Sequence, residues 1–275
     1  MTQEHTPIHP GGKQMHLHTK PGEVARYVLM PGDPARVGTI GECWDRFDEV
    51  AHHREFRTIR GLSGGTDISA CSHGVGGPST DIALTELSNC GADTFIRVGS
   101  CAALQPEMKP GDLIIATGAL RLTGTVDAYV DKSYPAVANY ECVLALIEAA
   151  EEMGETYHTG LAASVDSFYA GEINPMPGDF RQSHMDTVLD DLRRAKVANF
   201  EMEAATIFTL CQLFGYRGGM ICFVGANRVT KERSEDPEAT KRCCAVASRA
   251  VQILAGWDEK KKAAGKALLY PSLLS

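Results

Sequence analysis

Between residues 25 and about 260, short aliphatic and β-branched runs alternate with stretches whose apolar residues recur at helical spacing, and no long Pro/Ser-rich linker divides them. Such strands and helices bury their apolar faces together when the helices cover a sheet, so the pattern predicts one α/β domain. The strand-like segments are Tyr27–Met30, Ile68–Ser72, Thr94–Val98, Leu113–Thr117, Thr159–Ser164 and Met220–Val224. Helical spacing runs through Pro78–Cys90, Tyr140–Met153, Met202–Phe214 and Pro237–Trp257, with Gly154 the expected C-cap of the second. The domain is expected to span residues 1–275, with 1–15 a flexible polar arm that includes His5 and His9 and 258–275 a C-terminal tail.

Composition excludes several classes. A chain that is 44% hydrophobic and 23% charged is an ordinary globular one, outside the regime of disorder. A net charge of −8 argues against coating nucleic acid, so any phosphate should be held locally. Nine cysteines without C-x-x-C spacing suggest reduced thiols rather than disulfides or zinc, and Cys243 and Cys244 read as packing residues. No apolar run approaches the ~18 residues that span a bilayer, and the N-terminus lacks a basic region followed by an apolar one. The expectation is a cytoplasmic protein with neither membrane nor nucleic-acid partner.

In open α/β sheets, ligands gather where strands end and helices begin, and four such segments carry polar residues. Met30-Pro31-Gly32-Asp33-Pro34-Ala35-Arg36 reads as strand, tight turn and helix, with Pro34 in the first turn and Arg36 one turn in, able to reach an anion at the helix start. His73-Gly74-Val75-Gly76-Gly77-Pro78-Ser79-Thr80 is a Gly-rich bend that matches neither a Walker loop nor a dinucleotide fingerprint, and its glycines can equally serve close packing. In Phe95-Ile96-Arg97-Val98-Gly99-Ser100, an arginine inside an apolar strand requires an anionic partner, a carboxylate or a phosphate, and the serine at the strand end favours phosphate. Asn199-Phe200-Glu201-Met202-Glu203 places two carboxylates at a strand-to-helix junction, where they can accept from sugar hydroxyls or complement the helix dipole.

Taken in order, these segments resemble the nucleoside phosphorylase-I superfamily, most closely its uridine phosphorylase branch, over residues 16 to 255. Further matches are His52-His53-Arg54-Glu55-Phe56, Leu104-Gln105-Pro106, Lys109-Pro110-Gly111-Asp112, Tyr134-Pro135-Ala136-Val137, Asp166-Ser167-Phe168-Tyr169 and Asn227-Arg228. The resemblance implies a single-domain, three-layer α/β fold with a central mixed, partly barrel-like sheet surrounded by helices. It implies a homohexamer built as a trimer of dimers, each active site shared across a dimer. Gly32, Arg36, Arg97 and Ser100 would hold phosphate, with Arg54 arriving from the neighbouring subunit. Met202, Glu203 and Glu201 would face the ribose, and His16 of the neighbour its 5′-hydroxyl. Phe168, Glu172, Asn174 and Ala102 would surround the base, and Arg228 would belong to a mobile loop over it. Arg97, Glu203 and Arg228 are the residues expected to act in catalysis. Inorganic phosphate would be a co-substrate with no cofactor required, and potassium could sit at the dimer interface near Glu55, Val75 and Ser79.

The implied activity is phosphorolysis of a ribonucleoside, with uridine preferred. One departure bears on the base: Glu172 and Asn174 stand where the branch has glutamine and arginine, and an ionised Glu172 accepts without donating. A 6-oxopurine is the competing base, although Asn227 stands near the place of the acid that purine enzymes of this fold use at N7. The same fold could also serve a nucleosidase or a non-catalytic protein that binds nucleosides. Arg36, Arg54 and Arg97 favour phosphate over water.

Overall fold

The structure is a computed structural model and describes residues 8–9, 11–234 and 236–274. In chain order the elements are β1 (Ile8–His9), β2 (Lys13–Gln14), β3 (Tyr27–Met30), α1 (Pro34–Gly41), β4 (Arg46–His53), β5 (Phe56–Ser63), β6 (Thr66–Cys71) and α2 (Gly77–Asn89). They continue with β7 (Thr94–Ala103), β8 (Leu113–Leu122), β9 (Ala136–Val137), α3 (Tyr140–Met153), β10 (Tyr157–Val165), α4 (Val188–Arg194), β11 (Val197–Glu201), α5 (Ala204–Phe214), β12 (Arg217–Asn227) and α6 (Ala239–Ala264).

Ten strands form one mixed sheet in the order β11-β10-β8-β12-β7-β3-β6-β5-β4, with β9 beside β8. Asn199 and Phe200 of β11 also pair antiparallel with Ala103 and Ala102 of β7. That extra ladder closes β11, β10, β8, β12 and β7 into a barrel and leaves the rest as an open wing.

Local chemistry explains where several helices begin and end. Asp33 accepts from the Ala35 N–H and Pro34 opens α1, while Asn139 accepts from the N–H groups of Glu141 and Cys142 at the head of α3. Gly154 takes the left-handed conformation expected of the α3 C-cap.

Strand periodicity distributes the core. On β7, Phe95 packs with Leu84 of α2 and Phe208 of α5, whereas Ile96 and Val98 point to the opposite face with α1, α3 and α6. A smaller cluster of Leu104, Ala163, Val165 and Phe200 lies beside the β11 closure. Arg97 therefore shares the Phe95 side of the sheet, and Gly99 two residues on leaves it space: a Cβ there would lie 2.9 Å from Arg97 Cζ.

The expected strands exist, but β7, β8 and β12 run beyond their expected ends, so Gly99 and Ser100 lie inside a ten-residue strand rather than after a short one. Helix α5 starts at Ala204 instead of Met202, because the Glu201 carboxylate accepts from the N–H groups of Glu203 and Ala204 at 2.8 Å and fixes the turn there. The tail expected from residue 258 is corrected: α6 continues to Ala264, with Asp258 bonded to Arg217 and Tyr27 and Lys261 bonded to Glu141. Of the N-terminal arm, residues 1–7 and 10 lie outside the described residues, while Gln14 is buried and accepts from Asn89. All nine cysteines are free, and Cys243 and Cys244 are packed in the core as expected.

Candidate active site

The carboxyl ends of β3, β7, β10, β11 and β12 open into one cavity of about 1040 Å³. Its lining includes Gly32, Arg36, Arg97 and Ser100 at one end, and Met202 and Glu203 along its side. Ala102, Phe168, Glu172, Asn174 and Arg228 also line it. Chain segments separated by up to two hundred residues thus meet at a single volume.

Gly32 is required by contact: a Cβ there would lie 2.8 Å from the Gly74 carbonyl oxygen, so the β3–α1 turn can approach the Gly-rich bend only without a side chain. Arg36 points into the cavity with Nη1 donating to the Val98 carbonyl at 3.1 Å, and its guanidinium carbon lies 5.8 Å from the centre of the Phe223 ring. Its Nε is buried without a partner, and among the described residues no carboxylate pairs with it. A half-buried guanidinium in that condition is a ready anion site.

Arg97 is different. It is only 5% exposed, and it donates from Nε to Glu201 at 2.9 Å while its Nη2 lies 2.6 Å from Glu203. Of the two kinds of anionic partner that its position in the strand allowed, the folded chain supplies carboxylates, and the arginine still lines the cavity. Burial opposes its charge, but Glu203 and Glu201 hold its pKa above the ordinary arginine value.

Glu201 is engaged throughout. It accepts from Ser164 Oγ, Arg97 Nε and the N–H groups of Glu203 and Ala204. It anchors Arg97 and sets the start of α5 while lining the cavity beside Glu203. Glu203 accepts from the Gly76 N–H at 2.7 Å through its other oxygen, so the Gly-rich bend positions this carboxylate in the cavity.

In the sequence His73 read only as the first residue of a Gly-rich bend, with no role of its own. It is fully buried, with Nε2 3.4 Å from Arg97 Nη1 and Nδ1 3.1 Å from Thr80 Oγ1. Burial and the neighbouring Arg97 charge push its pKa down to about 3, so a neutral ring backs the arginine. A histidine at the end of a run of small buried residues was the available signal.

Elsewhere along the cavity, Arg228 donates to Asn174 Oδ1 at 2.7 Å and to the Ile173 carbonyl at 2.8 Å, and Asn174 Nδ2 donates to the Phe168 carbonyl at 2.6 Å. Asn174 is thus a clasp between two loops, with its carbonyl and one N–H already engaged. Glu172 is 5% exposed, and burial pushes its carboxyl up to about 7; Arg228 and Asn174 oppose the shift, while Glu201 and Glu203 add to it. The folded chain holds this proton more tightly than the unfolded chain does. Its contribution to stability is present below the ordinary carboxyl range and is lost as pH rises through about 7.

Asn227 is buried in the cavity wall with its amide engaged inside its own loop. It donates to the carbonyls of Gln105 and Met108 and accepts from the N–H groups of Val229 and Thr230, so all its amide capacity holds the loop that carries Arg228. Asn227→Ala should lower stability by about 2–4 kcal/mol, read as a fall in Tm; an unchanged Tm would remove this assignment.

Two expected residues do not line this cavity. Arg54 is exposed at the β4–β5 turn with a φ of 56°, and His16 lies on the outside of α2, its Nδ1 2.6 Å from Glu86. They occur together: His53, next to Arg54, donates from Nδ1 to the His16 carbonyl at 2.8 Å. Glu55, Val75 and Ser79 line the cavity near this edge, Ser79 Oγ donating to the Val75 carbonyl at 3.1 Å.

Residues 26–255 match the model of the phosphorylase superfamily. The chain belongs to that superfamily. It is 54% identical to a uridine phosphorylase of Thermococcus kodakarensis, over 95% of this chain and 94% of the relative. It is 40% identical to a uridine phosphorylase of Escherichia coli, over 76% and 83%. A guanosine phosphorylase of Halorubrum lacusprofundi is 38% identical over 88% of this chain and 96% of the relative. Superfamily membership agrees with the closed sheet and the strand-end cavity, and relatives named for a pyrimidine and for a purine nucleoside both fall within it.

Proposed function

We propose that this chain is a nucleoside phosphorylase, a pentosyltransferase that prefers uridine and releases the free base and ribose 1-phosphate. The observation that carries the reading is one cavity uniting an arginine without a carboxylate partner, Arg36, with a carboxylate pair and a base-sized end lined by Phe168, Glu172 and Arg228. Relatives named uridine phosphorylase at up to 54% identity support the substrate.

In this reading phosphate is the co-substrate, held by Arg36, Arg97, Ser100 and the backbone at Gly32. Glu203, beside Met202, accepts from the ribose hydroxyls and stabilises positive charge on the sugar as the glycosidic bond lengthens. Phosphate then attacks C1′ from the face opposite the departing base, positioned for attack without a covalent enzyme intermediate. Phe168, which is 52% exposed, stacks on the base, Ala102 limits its depth, and Arg228 balances charge on the leaving ring.

Arg54 and His16 complete the site of a second subunit, a role supported by their joint position outside the cavity of their own chain. The assembly proposed is a hexamer of three dimers. Potassium belongs to the proposal at the dimer edge, where Glu55, the Val75 carbonyl and Ser79 offer the hard oxygen donors that such a cation takes. The proposed location is the cytoplasm; among the described residues no helix is long and apolar enough to cross a membrane.

Release of uracil from uridine should rise by at least about 100-fold when phosphate is added, with ribose 1-phosphate as co-product. Equal release with and without phosphate would make the chain a nucleosidase instead.

A further inference from the structure

We infer that the ionisation state of Glu172 selects the class of base: the neutral carboxyl pairs with a uracil edge, and the ionised one with a guanine edge. The inference rests on the phosphorylase reading above and identifies the residue that decides which nucleoside the site accepts.

The geometry leaves Glu172 as the polar group for this task. Arg228 is turned onto Asn174 and the Ile173 carbonyl, and Asn174 is committed to Arg228, to Phe168 and to Glu172 beside it. Asn227 is fully engaged inside its loop. Glu172 lines the base end, nearly buried, with two oxygens.

Uracil presents an N3–H flanked by two carbonyl oxygens. A neutral carboxyl matches N–H beside C=O with one acceptor and one donor, as an amide side chain would. An ionised carboxylate meets the same edge with one good bond and one oxygen-to-oxygen repulsion. Guanine reverses the pattern, because N1–H and the 2-amino group are adjacent donors that a carboxylate accepts together. Leaving a buried donor or acceptor unmatched is heavily penalised, so each state favours its own base.

The charges around Glu172 keep both states accessible. Arg228 and the Asn174 side chain favour the ionised form, while Glu201 from β11 and Glu203 at the start of α5 favour the neutral one; Lys231, Glu232 and Arg233 also line the cavity from the segment after β12. Arg97 lines the cavity from β7 but is paired with two of those carboxylates. Burial adds to the acidic neighbours, and the carboxyl titrates near neutrality.

The test is the ratio of kcat/KM for uridine to that for guanosine, measured at saturating phosphate from pH 6 to pH 8. Effects common to both substrates cancel in it, including the ionisation of phosphate itself. The ratio should fall about tenfold for each pH unit, since the neutral-to-ionised proportion of one carboxyl changes by that factor. Glu172→Gln should raise the uridine-to-guanosine ratio at pH 8 by at least about tenfold over the wild-type chain and make the ratio independent of pH. Calorimetry in buffers of different ionisation enthalpy reads the wild-type chain directly and does not depend on that variant folding. Uracil binding at pH 8 should take up close to one proton, and guanine binding at pH 6 should release close to one. A ratio constant within about twofold, or one still falling in Glu172→Gln, overturns the switch while leaving phosphorolysis intact. Failure of phosphate to promote cleavage of either nucleoside overturns the phosphorylase reading, and the switch with it.

Discussion

Replacing Arg97 with alanine is expected to abolish phosphate-dependent turnover and to destabilise the fold by about 3–5 kcal/mol, because it leaves two buried carboxylates without their cation. Glu201 and Glu203 lie 2.9 and 2.6 Å from this guanidinium and are nearly inaccessible to water. Their repulsion would disturb the start of α5 and displace the carboxylate assigned to the ribose. Thermal denaturation and kcat/KM for phosphate on the same preparation read both effects. A variant with native Tm and normal phosphate dependence would exclude Arg97 from the site and from the core network together.

Arg36→Ala should behave in the opposite proportion. Its guanidinium holds only the Val98 carbonyl at 3.1 Å, with Nε unpaired, so its removal breaks no buried ion pair among the described residues. Tm should stay within the range of a modest surface change, while kcat/KM for phosphate should fall by about 100-fold or more, the loss of one charge-assisted anion contact where charge develops. Uridine binding without phosphate should be little altered. If Arg36→Ala instead unfolds the chain and leaves the phosphate KM unchanged in what remains folded, the anion site lies elsewhere. The contrast separates two arginines that share one cavity: one ties the core to the site, and the other is free to take the anion.

Much of this was legible because local rules dominate at particular residues. The turn around Asp33 and Pro34 and the Gly154 terminator act on neighbours in sequence, and each formed as expected; the Asn139 cap follows the same local rule but was not anticipated. The β4–β5 hairpin was not foreseen. Arg46–Glu49 of β4 are exposed, so this edge strand carries little of the apolar alternation by which strands are recognised. Strand β11 was read only as the strand side of the junction at Asn199–Glu201 and given no bounds, because it is five residues long and buried throughout, a signal that a short apolar run shares with helix and loop.

The order of apolar runs by itself determined an α/β sheet, and an arginine inside one of those runs determined that a buried anion must meet it. Which anion meets it was decided by tertiary structure: β11 closing onto β7 brings Glu201 and Glu203 against a guanidinium about a hundred positions earlier in the chain. The same holds for the proton on Glu172. Its residue type is written in the chain, but its charge at neutral pH depends on water excluded and charges supplied by elements distant in sequence, and desolvation acts only once they are packed together.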